Sequence, residues 1–165
     1  MNDETHKDFL LRIGKSRGPE YLIQLHLRRL GYYFYIPPIR EAKSYKDRAD
    51  FKDEGDCFIK RGNSRFSRIE VKGLSINFNR FGTDWPYRDF IICRKSSYDF
   101  AKKDKSQITP FAYFVVSADY MALAMVKTSS YDKWTYREVS DVKSGEKYQG
   151  YIAPPEVIKW GKIMA

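Results

Sequence analysis

Between Gly55 and Gly73 two short apolar runs flank a turn, and the polar residues inside them are of a kind that a plain core hairpin does not need. The first run reads Gly-Asp-Cys-Phe-Ile-Lys, the turn Gly62-Asn63-Ser64, the second run Arg-Ile-Glu-Val-Lys-Gly. Residues two apart on a strand point to the same face. Glu70 and Lys72 therefore project together, and Ile69 and Val71 project the other way, into a core. A three-residue loop at 62–64 pairs Arg61 with Arg65 and sets Asp56 opposite Glu70. Cross-strand partners share a face, so two carboxylates and an ammonium are expected to converge. That combination suits a divalent cation with a lysine beside it.

The chain has 165 residues, enough for one domain with one sizeable core. Its 30 Lys and Arg against 21 Asp and Glu give a net charge of +9, which favours a polyanionic partner, most simply nucleic acid. Cys57 and Cys93 are too few and too far apart for a zinc cluster or a disulfide framework, so a reducing cytoplasm, or association with the nucleoid, is the expected setting. The N-terminal residues lack the basic-then-apolar layout of a secretory signal, and no apolar stretch approaches membrane-spanning length, so no membrane partner is expected.

Hydrophobic spacing predicts a short helix over 3–13 and a firmer one from Pro19 to Leu30, stopped by Gly31, with Ile23, Leu27 and Leu30 on its apolar stripe. Tyr32 to Ile36 reads as a strand and residues 40–55 as a charged loop. After the hairpin, 75–87 is irregular, 90–93 a short strand and 95–105 a short helix. Phe111 to Ser117 and Met121 to Lys127 form a second hairpin turning near Asp119. From Ser129 the pattern is mixed, with a last short helix after Pro154-Pro155. The expected architecture is α/β (α+β), a central mixed sheet flanked by helices, with a core over about 18–128 and a C-terminal extension over 129–165.

Magnesium prefers hard oxygen ligands, commonly one or two carboxylates completed by water and phosphate. Asp56 and Glu70 supply carboxylates, and the Val71 carbonyl lies between Glu70 and Lys72 in the chain. Lys72 is placed to orient or deprotonate a water and to offset phosphate charge, chemistry suited to phosphodiester hydrolysis.

Gly55-Asp56 followed by Glu70-Val71-Lys72 resembles the PD-(D/E)xK nuclease superfamily, the restriction endonuclease-like fold shared with Holliday-junction resolvases. The helix that begins Gly18-Pro19-Glu20 and ends Leu30-Gly31-Tyr32 is similar to the glutamate-bearing first helix of the resolvase branch. One departure stands out: Gly55, not proline, precedes Asp56. Another is that an irregular aromatic segment, instead of a prompt helix, follows Lys72. The resemblance implies a metal-dependent DNA endonuclease with Asp56 and Glu70 on Mg2+ (Mn2+ substituting), Lys72 assisting the water and Glu20 as an additional acid beside the metal. It also implies 5′-phosphate and 3′-hydroxyl products and homodimers in many members; RNA as substrate stays open.

Other residues carry weaker signals. The stretch 79–88 interleaves rings and guanidinium groups, so Arg80, Trp85 and Arg88 either contact nucleic acid or tuck Phe81 and Trp85 into the core. Lys102 and Lys103 form a basic helix end suited to phosphate or to simple solvation. Asp50, Asp53 and Glu54 read as a solvated acidic loop, with Asp53 the substitute ligand if the hairpin register differs. His26, amid leucines, reads as a packed or surface histidine. A nuclease fold that binds DNA without cutting it, or a protein-interaction module, are the rival readings.

Overall fold

The structure, a computed structural model, describes residues 17–37, 57–104, 108–141 and 145–164. The expected helix over 3–13, the stretch 40–55 with Asp50, Asp53 and Glu54, and the proposed ligand Asp56 lie outside the described residues.

Residues 17–29 form helix α1. Pro19 lies within this helix, near the first of the described residues. The helix ends where expected: Gly31 takes φ +82°, a conformation that costs a side-chain-bearing residue, and its N–H bonds the Arg28 carbonyl at 2.9 Å. Ile23 and Leu27 are buried against the sheet together with Cys57, Ile59, Ile69 and Val71. Each aliphatic side chain so buried stabilises the fold by about 1.5–3 kcal/mol.

His26 sits on this helix and is packed, as its leucine neighbours imply. Its Nδ1 accepts the Met164 backbone N–H at 3.1 Å, tying the C-terminal residues to α1. Burial lowers its pKa from the usual 6.5, because the charged form loses hydration. A base whose folded pKa is depressed leaves the unfolded chain with the greater proton uptake. Stability is therefore full above pH 6.5 and is lost as pH falls through 6.5 toward the lowered folded value. Thermal melts at about pH 7.5 and about pH 5.5 should show this loss, and His26→Gln should flatten it. An unchanged pH slope in the variant would contradict this account of His26.

Among the described residues the central sheet has six strands, in the order Tyr32–Tyr35 (β1), Cys57–Arg61 (β2), Ser67–Gly73 (β3), Ala112–Val116 (β5), Ala122–Lys127 (β6) and Ile158–Lys162 (β9). The first three run antiparallel to their neighbours, and β3 then pairs in parallel with β5, Ala112–Val116. β5 pairs antiparallel with β6, Ala122–Lys127, as the second expected hairpin. All five residues of β5 are buried, which follows from its being covered on both faces.

α1 covers one face. Over β5, β6 and β9 the other is covered by helix α2, Lys95–Lys103, and by a sheet of β4 (Phe90–Arg94), β8 (Lys147–Ala153) and β7 (Thr135–Ser140) in the order β4-β8-β7. A second core lies between the sheets, built from Tyr113, Val115, Val126, Phe90, Tyr151 and Trp134 among others. The sequence pattern misses this second sheet, expecting helices on both faces. It also misreads the C-terminus. The expected helix after Pro154-Pro155 is one 3-10 turn, Pro155–Val157, followed by strand β9, Ile158–Lys162. β9 runs antiparallel to β6, so part of the expected extension closes the edge of the central sheet. Pairing with β6, a long-range interaction, fixes that segment as a strand. Together the elements make a mixed, mostly antiparallel α+β architecture with few helices.

Candidate active site

The register of β2 on β3 is the one the turn predicts: Cys57 faces Ile69, Phe58 faces Arg68 and Ile59 faces Ser67. Gly62 adopts positive φ in the turn, and the Ser64 N–H bonds the Arg61 carbonyl at 3.1 Å. Among the described residues β3 then runs on through Glu70, Val71, Lys72 and Gly73 beyond its last pairing with β2, held by β5 alone.

Ile69 and Val71 enter the core beneath α1. Glu70 and Lys72 lie on the opposite face, level with Tyr113 and Val115 of β5. Glu70 is part-buried and takes a hydrogen bond from Arg68 Nε at 2.7 Å, an ion pair along one strand face. Lys72 lines a cleft of about 400 Å³ between the two sheets, with Leu74, Arg88, Asp89, Asp141 and Tyr148 among its walls. The mouth stays open, and Lys72 is exposed to solvent there. Burial lowers the Lys72 pKa below the usual lysine range, opposed by attraction to Asp141 and to Cys93. Cys93, across the gap on β4, is pushed up to about 11, chiefly by burial. It is a poor nucleophile in that state.

Glu20 is 4% exposed and on the α1 face, with Ile23 and Leu27 in line with it, as its helical spacing requires. Arg17 Nη1 donates to its carboxylate at 2.8 Å. Its turn of helix is drawn to the end of β3, since a Cβ on Gly73 would lie 2.5 Å from the Pro19 ring. That close approach needs glycine directly after Lys72. Glu20 thus belongs to the helical face of the sheet and meets β3 at its end, while Glu70 and Lys72 occupy the cleft face.

The expected metal ligands fit magnesium in kind: the Glu70 carboxylate and the Val71 carbonyl are hard oxygens, both in the middle of β3. Asp56, the second carboxylate, lies outside the described residues, and among the described residues no group of three His, Cys, Asp or Glu gathers to hold a metal ion. Of the residues expected to meet nucleic acid, Trp85 and Arg88 share the Lys72 cleft, and Arg80, Lys102 and Lys103 lie elsewhere. Arg88 lines the Lys72 cleft. Arg80 lies over the Phe81 ring at 4.7 Å and lines a different depression with Asp84 and Lys162. Trp85 is half-buried: its ring lies 5.0 Å from Phe90 and 5.5 Å from Phe78 and Trp160 and also lines the Lys72 cleft, while Phe81 and Tyr87 are the exposed rings of that loop. Lys102 covers Tyr131 at 4.2 Å, and with Lys103 it is exposed at the end of α2.

Asp141, Arg137 and Tyr148 complete the cleft walls and come from the sheet that the sequence pattern misses. Arg137 is held by a hydrogen bond from its Nε to Asp89 at 2.8 Å. No family model, no curated protein and no solved structure matches the chain. No helix among the described residues is long and apolar enough to cross a membrane.

Proposed function

We propose that the chain is a magnesium-dependent deoxyribonuclease of the PD-(D/E)xK superfamily, with the restriction endonuclease-like fold and a site centred on Glu70 and Lys72. The observation that carries this reading is the hairpin register. It puts Glu70 and Lys72 on the strand face that Phe58 and Arg68 share, with the lysine lining a cleft where burial depresses its pKa. The element order also supports it: a glutamate-bearing helix, three antiparallel strands, a crossover made of β4 and helix α2, then a strand parallel to the third.

In this reading Glu70, with Asp56 and the Val71 carbonyl, would hold the cation, and Glu20 would support it from the helix side. Bound magnesium makes a coordinated water more acidic and offsets charge at the reacting phosphorus. Lys72 orients the attacking water and, in its neutral form, accepts a proton at Nζ, a role that a depressed pKa favours. In its charged form it offsets charge on the phosphate. The basic balance of the chain suits a DNA substrate. Products with 5′-phosphate and 3′-hydroxyl ends, and a homodimer that cuts both strands, come with the family resemblance.

A second reading, a nuclease fold that binds DNA without cutting it, is favoured by one contact. Arg68 already neutralises Glu70, as a structural ion pair would. Incubation with linear, circular, single-stranded and branched DNA, with Mg2+, with Mn2+ and with chelator, separates the two. Cleavage of at least one DNA form in either cation, abolished by chelator, is the expected result. Binding without cleavage of any form under every condition favours the idle module and overturns the enzyme.

A further inference from the structure

The face of the central sheet that carries Glu70 and Lys72 does not end there. Across β1, β2 and the approach to β3 the same face presents Tyr33, Tyr35, Phe58, Lys60, Phe66 and Arg68. The register makes this one surface: Tyr33 pairs with Lys60, Tyr35 with Phe58, and Phe58 with Arg68. The alternate residues Tyr32, Phe34, Cys57 and Ile59 turn to the α1 core, which leaves the others on the outer side. Tyr33 is 64% exposed, Tyr35 50% and Phe66 45%. For rings of this size on the face of a sheet, a hydrophobic fold has no use for such exposure.

The cations are set among the rings. Lys60 Nζ lies 5.8 Å from the Tyr33 ring centre and 5.1 Å from that of Phe66. Tyr35 and Phe58 lie 6.3 Å apart in a tilted pair. Within the described strands β1, β2 and β3 the only acid is Glu70, at the far side of this surface. A protein partner with an apolar face would be met as well by rings alone. Rings alternating with cations, on a chain of net charge +9, match a ligand that has flat aromatic faces and regularly spaced negative charge. Tyr33 and Tyr35 stand about 6.8 Å apart along their strand. That is twice the roughly 3.4 Å rise per nucleotide of a stacked strand, so each ring has room for a base.

We propose that the outer face of β1 and β2 is a stacking platform for single-stranded nucleic acid, leading an unpaired stretch toward Glu70 and Lys72. Bases stack on Tyr33, Tyr35 and Phe66, and Lys60 meets the backbone phosphates. The proposal deepens the nuclease reading by naming the unpaired strand as what the site meets, and for that role it rests on that reading.

The test reads binding without turnover. Fluorescence anisotropy is measured in chelator with a fluorescein-labelled oligothymidylate of about 20 nucleotides and with a blunt duplex of the same length. The single strand should bind at least about tenfold more tightly. Tyr33→Ala with Tyr35→Ala should weaken single-strand binding by roughly 30-fold or more and leave duplex binding within about twofold. Tyr33→Phe with Tyr35→Phe should bind like the parent, because the ring and not the hydroxyl carries stacking. Lys60→Ala should reduce the salt dependence by about one counterion. Both tyrosines are exposed, and circular dichroism of the double alanine variant should match the parent. If that fold is lost, the phenylalanine pair and Lys60→Ala still decide. Unchanged affinity in the double alanine variant overturns the platform, as does an equal loss for single strand and duplex, or absence of single-strand binding. Ring-dependent binding in a protein that cleaves no DNA would leave the platform standing and sink the nuclease reading. Cleavage with ring-independent binding would do the reverse.

Discussion

Glu70→Gln should reduce cation-dependent DNA cleavage by at least about 10²–10³-fold, and Lys72→Ala by about 10²–10⁴-fold. The glutamine is nearly isosteric and keeps an oxygen acceptor for Arg68, but it removes the charge that a divalent cation requires. The fold should tolerate it, since Glu70 is only part-buried and Arg68 can hydrogen-bond the amide oxygen. Lys72→Ala removes both the proton acceptor and the positive charge. Its side chain opens onto the cleft, so truncation leaves no sealed cavity. The pH profile separates the two roles of the amine. Burial holds the Lys72 pKa below 10.5, so the neutral fraction grows as pH rises toward that lowered value, and the cleavage rate should rise with it. Lys72→Arg keeps the charge but does not titrate in this range, so it should lose that rising limb. Cleavage rates near the parent's in both Glu70→Gln and Lys72→Ala would remove the site.

Trp134→Ala should cost about 3–5 kcal/mol of folding stability, the largest effect expected of any single core truncation here. Trp134 is buried between the sheets and touches four aromatic neighbours. Its ring lies 5.5 Å from Tyr98, 6.2 Å from Tyr113, 5.4 Å from Tyr131 and 5.8 Å from Tyr151. Its indole N–H donates to Ser130 Oγ at 3.0 Å, so a polar partner is lost along with the packing. Native domains are stable by only about 5–15 kcal/mol in total, and this loss approaches the margin. Trp134→Phe keeps most of the ring area and should cost roughly 1–2 kcal/mol. Denaturant titration of the three proteins checks the order. Because Tyr113 pairs with Glu70 across β3 and β5, the alanine variant should also loosen the floor of the cleft. A change below about 1 kcal/mol for alanine would contradict the packing described.

What could be read from the residues alone was set by local rules. The α1 helix was legible because an apolar stripe of helical period runs up to Gly31, and the structure ends the helix at that glycine. The hairpin register was legible because a short turn fixes the phase of everything beyond it, and Cys57 against Ile69 follows from Gly62-Asn63-Ser64. The second sheet was not. In β7 only Val139 of six residues is buried, so no alternation announces the strand. β9 has a short, ambiguous apolar pattern and is a strand because β6 offers it an edge. Both are decisions of long-range packing, which local patterns do not carry. The consequence reaches the site: Asp141, which opposes the depression of the Lys72 pKa, comes from the end of β7 and had no signal near Lys72. Trp85 shows the same limit from another side. Its setting among arginines left base stacking and core packing both open, and Trp160, distant in sequence, joins Phe78 and Phe90 in packing against a ring that also lines the Lys72 cleft.

The claim on which the rest depends is that the carboxylate of Glu70 holds a divalent cation beside Lys72. Anomalous diffraction from crystals soaked in Mn2+ tests it most directly. The expected result is a manganese peak within bonding distance of Glu70, with Asp56 as a further ligand, and no peak in crystals of Glu70→Gln. Soaked crystals in which Glu70 keeps only its pairing with Arg68, and manganese binds elsewhere or nowhere, would contradict it.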